Sequence, residues 1–402
     1  MTTLPPSGNR LANILLLSSL SALPPLSIDM GLPALTVLQQ RLETTPGMAG
    51  MTLSLFMLGY AASPLVYGML SDRLGRKPLL LVGLGLFALG GVLCTLAPSI
   101  GWLLAARVIQ GAGAGVGPTI AMAASRDLLD GVVLRRRLAN LAMLRNVAPI
   151  IAPAIGALLL GLGGWRAISG MLALAGITLF ITMQVHFSET LPRARRRDGA
   201  LLAELWRSAR HLAAARRALG FATIQGLAGG ALFAYIGGSP LLLIGVFKVS
   251  AALYAGLFAT TALGIVGGAF LAGRLAHRVA SASILGIGSS LTAGAPVIAA
   301  ILVLTQHGGL VAVMACFVVA TFGFGLVAPT ASHAALEPVA AVAGTAAALM
   351  NSFQMICMSV ASLLVAWLFP LLGAVAVPGV MAGFAALGLA MLIRLRAPPG
   401  TA

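Results

Sequence analysis

Two ionisable side chains stand inside long apolar stretches: Asp29 in Ser27-Ile-Asp29-Met-Gly-Leu-Pro33-Ala, and Arg107 in Arg107-Val-Ile-Gln110-Gly111. Charge held away from water costs free energy unless it faces a partner or a polar path, so both are candidates for moving or sensing charge. Protonation of such a carboxyl follows the balance between desolvation and any nearby cation, so a passing cation or substrate can make it load and release a proton. The alternative for Asp29 is a hydrated position near the outer surface, or a cap on backbone that Pro24, Pro25 and Pro33 unwind. Arg107 is its natural partner, with Gln110 one turn away on the same helix face; equally, its donors suit unwound carbonyls near Asp29. Arg145, a third such cation, either snorkels to the inner surface or adds positive charge to the interior. No other chemistry is spelled out. Cys94, Cys316 and Cys357 are far apart, the five histidines are isolated, and no HExxH, CxxC or nucleophile elbow occurs, so neither metal nor cofactor nor enzyme activity is expected.

The elements that hold these residues follow from composition. With 59% hydrophobic and only 8% charged residues, the 402-residue chain lacks the polar surface of a soluble protein. The net charge of +16 comes in short clusters between apolar runs, which suits loops beside an anionic leaflet and not nucleic acid. About 20 apolar residues cross a bilayer. Twelve runs qualify: 11–37, 48–70, 78–97, 101–124, 138–162, 166–187, 219–243, 249–272, 282–305, 309–334, 343–368 and 371–393. The first is too long for a signal-peptide core and is read as a retained span, which sets Asp29 about 27 Å along its helix. With both termini cytoplasmic, the inner segments collect Arg73, Arg76, Lys77, Arg126, Arg274, Arg278, Arg394 and the arginines of 193–217; the outer ones receive Arg41, Arg166 and Lys248. The expected architecture is an all-α polytopic membrane protein: twelve transmembrane helices in two pseudo-symmetric six-helix bundles, 1–187 and 219–402. The polar segment 188–218 joins them, and 200–217 has the spacing of an amphipathic surface helix. The glycines of 111–117 lack GxGxxG spacing and a preceding strand, so they read as a smooth face for close packing.

Between spans two and three lies Gly68-Met-Leu-Ser-Asp72-Arg73-Leu-Gly75-Arg76-Lys77-Pro78. This turn places Asp72 near the start of span eleven, whose positive end would hold the carboxylate and latch the bundles; Arg76 is placed to pair with Asp127. A solvated turn is the alternative. The turn resembles the signature loop of the major facilitator superfamily. Arg107-Val-Ile-Gln110-Gly111 resembles a further motif of that family, Ala152-Pro153-Ala-Ile-Gly156 its antiporter motif, and 27–34 its drug:proton antiporters of the bicyclomycin and chloramphenicol resistance type. In the second half only Gly273, His277 and Arg278 match, with Ala280 in place of a glycine, so no second latch is expected.

The resemblance implies that Arg107 joins Asp29 in proton coupling and that span five marks an exporter. Pro149, Pro153 and Gly156 make that span a bending, gating helix, and 323–329 of span ten repeats its small-residue and proline character. Gln110, Phe56, Tyr60, Tyr235, Tyr254, Met350, Phe353 and Gln354 are candidates for the substrate path. Such Met and aromatic surfaces re-pack around varied ligands. The expected function is proton-coupled efflux of lipophilic small molecules, amphenicol- or bicyclomycin-like, by a monomer in the bacterial inner membrane. With a single intramembrane acid, neutral cargo fits better than dications. Export of a native metabolite such as a sugar, nucleoside or amino-acid derivative is the alternative; a channel lacks its charged rings.

Overall fold

The computed structural model describes residues 10–192, 194, 206, 207, 209, 210, 214–306 and 308–396. Every regular element among them is helical. Span one is α1 (Arg10–Asp29), a 3₁₀ turn (Leu32–Ala34) and α2 (Leu35–Arg41). Then come α3 (Pro46–Leu74), α4 (Arg76–Thr95), and span four as α5 (Ile100–Ala114) plus α6 (Val116–Leu128). Spans five and six form one run, α7 (Gly131–His186), which breaks at Gly163 and Gly164. The second half holds α8 (Arg216–Pro240), α9 (Ala251–Leu275), α10 (Ser281–Leu304), α11 (Leu310–Leu336), α12 (Ala343–Leu372) and α13 (Ala376–Arg396). The amphipathic helix expected over 200–217 lies largely outside the described residues.

Among the described residues nine stretches are long and apolar enough to cross a membrane, and two of them, at 56 and 52 residues, are long enough to cross twice. Span four escapes that criterion because Gly115 divides it into helices of 15 and 13 residues. With it the crossings number twelve. Their packing repeats: α3 lies on α5 as α9 lies on α11, α4 on α7 as α10 on α13, and α1 on α7 as α8 on α12. Advancing each partner by six spans converts one bundle into the other, the sign of an internal structural repeat. Large apolar side chains such as Leu58, Val82, Leu158, Val311 and Leu387 stay exposed, as a lipid-facing surface requires.

Two expected spans are discontinuous. Span one unwinds after Asp29, while Pro24 and Pro25 stay inside α1; span four breaks at Gly115, where a Cβ would strike Ser63. Close approach explains the glycine-rich face. A Cβ on Gly111 would collide with the Phe56 carbonyl, and one on Gly117 with the Leu20 carbonyl. At Gly164 φ is 69°, a left-handed conformation that glycine adopts without a Cβ penalty. The halves meet where α3 crosses α12 and where α7 meets α9. At the first seam Ser54 Oγ donates to Ser362 Oγ (3.0 Å) and Ser359 Oγ to the Ser54 carbonyl (2.8 Å), beside Gly47 and Gly50 packed on Ala366.

Gly111→Val is expected to cost about 1–3 kcal/mol of stability by overpacking, because its neighbour is backbone and cannot swing aside. Thermal unfolding in detergent, read by loss of the monodisperse peak, checks this against Gly101→Val, which has open space around it.

Candidate functional site

The stop in span one builds the first part of the site. α1 ends at Asp29, so the carbonyls of its last turn lose their helical donors. Met30 N still reaches the Leu26 carbonyl at 3.1 Å, and the Ser27 carbonyl accepts from Arg107 Nη2 at 3.1 Å. Arg107 Nη1 donates to Gln110 Oε1 at 2.8 Å, and the guanidinium lies 5.1 Å from the centre of the Phe56 ring. Close approach needs glycine at Gly156, where a Cβ would strike the carbonyl of Met30, whereas a Cβ on Gly31 would meet Arg107 Nη2 at an ordinary 3.6 Å. Asp29 itself is 3% exposed, and its Oδ1 has no hydrogen-bond partner. Arg107 therefore binds backbone next to Asp29; among the described residues no ion pair joins the two. Of the two roles open to Arg107 in the sequence, the carbonyl bond is the one present.

A cavity of about 40 Å³ adjoins this break, lined by Ser27, Gly31, Thr52, Arg107, Trp165 and Ser169 among others. That volume suits two or three waters, far below the several hundred Å³ of a drug site. Cargo binds elsewhere or in another conformation.

The turn between α3 and α4 forms a polar knot. Arg76 reaches Asp127 through Nε (2.9 Å) and Nη2 (3.4 Å), and Asp72 and Ser71 through Nη1 (2.5 and 2.7 Å). Thr190 Oγ1 adds a bond to Asp127 at 3.1 Å. Gly75, at φ 103°, provides the turn that starts α4. Asp72 thus pairs with Arg76, the guanidinium four residues along. The start of span eleven, expected to face it, falls largely on 340–343, whose side chains lie outside the described residues. Gly68 faces Thr119, and Arg73 Nε is buried without a partner.

The path candidates separate into groups. Phe56 and Gln110 are fully buried around Arg107, and Tyr60 is buried on α3. Tyr235 and Tyr254, expected on the path, are fully buried: Tyr235 packs on Phe258 and Phe317 and Tyr254 on Phe258, while Thr261 Oγ1 bonds Tyr235 and Ser239 bonds Tyr254. Gln354 accepts from Gln225 Nε2 at 3.3 Å, and Ser332 donates to Gln225 Oε1 at 2.9 Å. Met350 is buried against Ala346, while Phe353 is 40% exposed. Pro149 is half-buried and Pro153 buried on the first part of α7.

A family description, Major Facilitator Superfamily, matches residues 17–362. The chain belongs to the Major Facilitator Superfamily. It is a multi-pass membrane transporter. An uncharacterized MFS-type transporter of Bacillus subtilis (strain 168), YdgK, is 31% identical over 366 residues, 90% of each chain. Multidrug resistance protein D of Escherichia coli (strain K12) is 30% identical over 85% of each, and a bicyclomycin resistance protein homolog of Haemophilus influenzae 27% identical over 68% of this chain and 69% of its own. Among solved structures, a bacterial homolog of the human lysosomal transporter Spinster, inward-facing and unoccupied, superposes with a TM-score of 0.75 at 17% identity, covering 98% of this chain and 100% of that one. A D-xylose–proton symporter gives 0.72 at 15% identity over 95% and 97%.

Sequence reasoning about this facilitator missed several residues. Glu189, within the polar segment 188–218, caps α4: its carboxylate accepts from Arg76 N (2.9 Å) and Lys77 N (3.3 Å), two donors that a helix start leaves free. A lone acid just before a run of arginines was the available signal. Gln225 carried a plainer one, a polar residue in an apolar span. The serine seam of α3 and α12 carried none, since serine is common in membrane helices.

Arg76→Ala should destabilise the protein by on the order of 2 kcal/mol, less than a fully buried pair would lose because Asp72 is 37% exposed. Glu189→Gln should cost less, as the amide oxygen still accepts one bond. Thermal unfolding in detergent ranks the two.

Proposed function

We propose that this transporter expels lipophilic small molecules across the inner membrane by alternating access, driven by protons entering through Asp29. The observation that carries this reading is the buried Asp29 carboxyl at the broken end of α1, whose Oδ1 has no hydrogen-bond partner. Holding an ion there costs several kcal/mol, so ionisation waits for water or a cation to reach the group. Arg107 and Gly156 grip the backbone on either side of it, so a change at the carboxyl acts on α1, α5 and α7 together.

The cycle follows from those contacts. Protonation from the outer side lets Asp29 sit in the closed outer seam; opening to the cytoplasm admits water, releases the proton and readies the site for cargo. Cargo binding and outward opening then reset it. The bundles 1–187 and 219–402 rock about the small-residue seam of α3 and α12, the knot around Arg76 steadies the inner end of the first bundle, and Pro149, Pro153 and Gly156 let α7 flex. Cytoplasmic termini agree with the placement of basic residues, and the fold works as a monomer. The relatives named for multidrug and bicyclomycin resistance support lipophilic cargo.

In proteoliposomes holding an imposed pH gradient, Asp29→Asn should bind chloramphenicol as the wild type does yet show no drug-dependent proton movement, read with a lumenal pH dye. Coupled transport by that variant would sink the assignment.

A further inference from the structure

Arg145 lies on α7 about 20 Å from its inner end. On a helix turning about 100° per residue, it falls within about 60° of Leu141, Ala148, Ala152 and Gly156. Those four are buried. The exposed Met143, Ile151 and Leu158 lie about 120–160° away from it, on the face that meets lipid. Arg145 thus sits on the inward stripe of α7, yet its own side chain is exposed. A snorkelling arginine would stand on the lipid face or at its margin. An arginine exposed on the inward stripe instead marks a place where that stripe is uncovered towards the path.

Its surroundings fit a ligand site. The charge of Arg145 reaches the buried phenol of Tyr60 on α3, and no carboxylate pairs with it among the described residues. At a similar distance from the starts of α8 and α12, roughly 14–17 Å, stand Gln225 and Gln354, linked to each other and to Ser332. Asn351 repeats the pattern on α12: it shares a face with the buried Gln354 and Met358 and is exposed. Arg145, without a carboxylate partner among the described residues, thus stands at a similar depth to several neutral amides. Asp29, the acid of span one, lies far along α1 at its outer end.

We infer that Arg145 anchors a cargo site on the inner side of the path, and that the preferred cargo carries a carboxylate or similar anionic group on a lipophilic body. A guanidinium binds such a group by two parallel hydrogen bonds, and the neutral amides opposite add no repulsion. This rests on the efflux reading and narrows its cargo from neutral lipophiles to amphipathic anions.

Chloramphenicol and its hemisuccinate share one body without and with a carboxylate, so equilibrium binding of each to the purified full chain is the test. Arg145→Gln should weaken the hemisuccinate about tenfold and leave chloramphenicol unchanged, whereas Arg145→Lys should keep most of the anion's binding. Equal loss of both probes, hemisuccinate binding that survives Arg145→Gln, or a wild type that ignores the hemisuccinate overturns the inference. Proton-coupled movement of chloramphenicol without any anion preference leaves efflux standing and removes this site. Anion binding that needs Arg145, with no proton movement for either probe, does the reverse.

Discussion

A helix that stops inside a membrane exposes carbonyls that lipid cannot satisfy, and this transporter is organised around such a stop after Asp29. The Ser27 carbonyl is answered by Arg107, whose guanidinium is itself held by Gln110 and covered by the Phe56 ring. Because Gly111 packs on the Phe56 backbone, α3 and α5 are drawn into the same support. Gly156 closes the other side by lying directly on the Met30 carbonyl. Four helices therefore converge on a few peptide groups beside the Asp29 carboxyl.

The interfaces elsewhere divide by chemistry. Where α3 crosses α12 the contact includes glycine, alanine and serine, with two hydroxyl bonds, and such small residues let the backbones pack closely. At the inner end of the first bundle the contact is ionic: Arg76, Asp127, Asp72, Thr190 and Glu189 tie α3, α4 and α6 to the segment after α7. Those groups have direction and short reach, so the inner ends of these helices move as one piece.

Charge in the interior is sparse enough for each group to be given a task. Arg107 is consumed by backbone and Gln110, so it stiffens the break and does not neutralise Asp29 directly. Asp29 keeps an oxygen without a partner, and Arg145 is exposed and pairs with no carboxylate among the described residues.

Much of this was legible in the residues. Apolar run length and the distribution of arginine determined a twelve-span chain, because bilayer thickness and the cost of moving cations admit few other readings. Asp29, Arg107 and the Arg76–Asp127 contact were visible as charges in unusual company. Only the tertiary structure decided which contacts each makes: Arg107 bonds the Ser27 carbonyl, Asp72 bonds Arg76, and Tyr235 and Tyr254 are buried beside Phe258. Glu189 and the serine seam were hidden for the same reason. Periodicity reports which face of one helix is apolar, but partners come from how several helices stack, and that depends on Cβ-scale clearances at glycines such as Gly111 and Gly156.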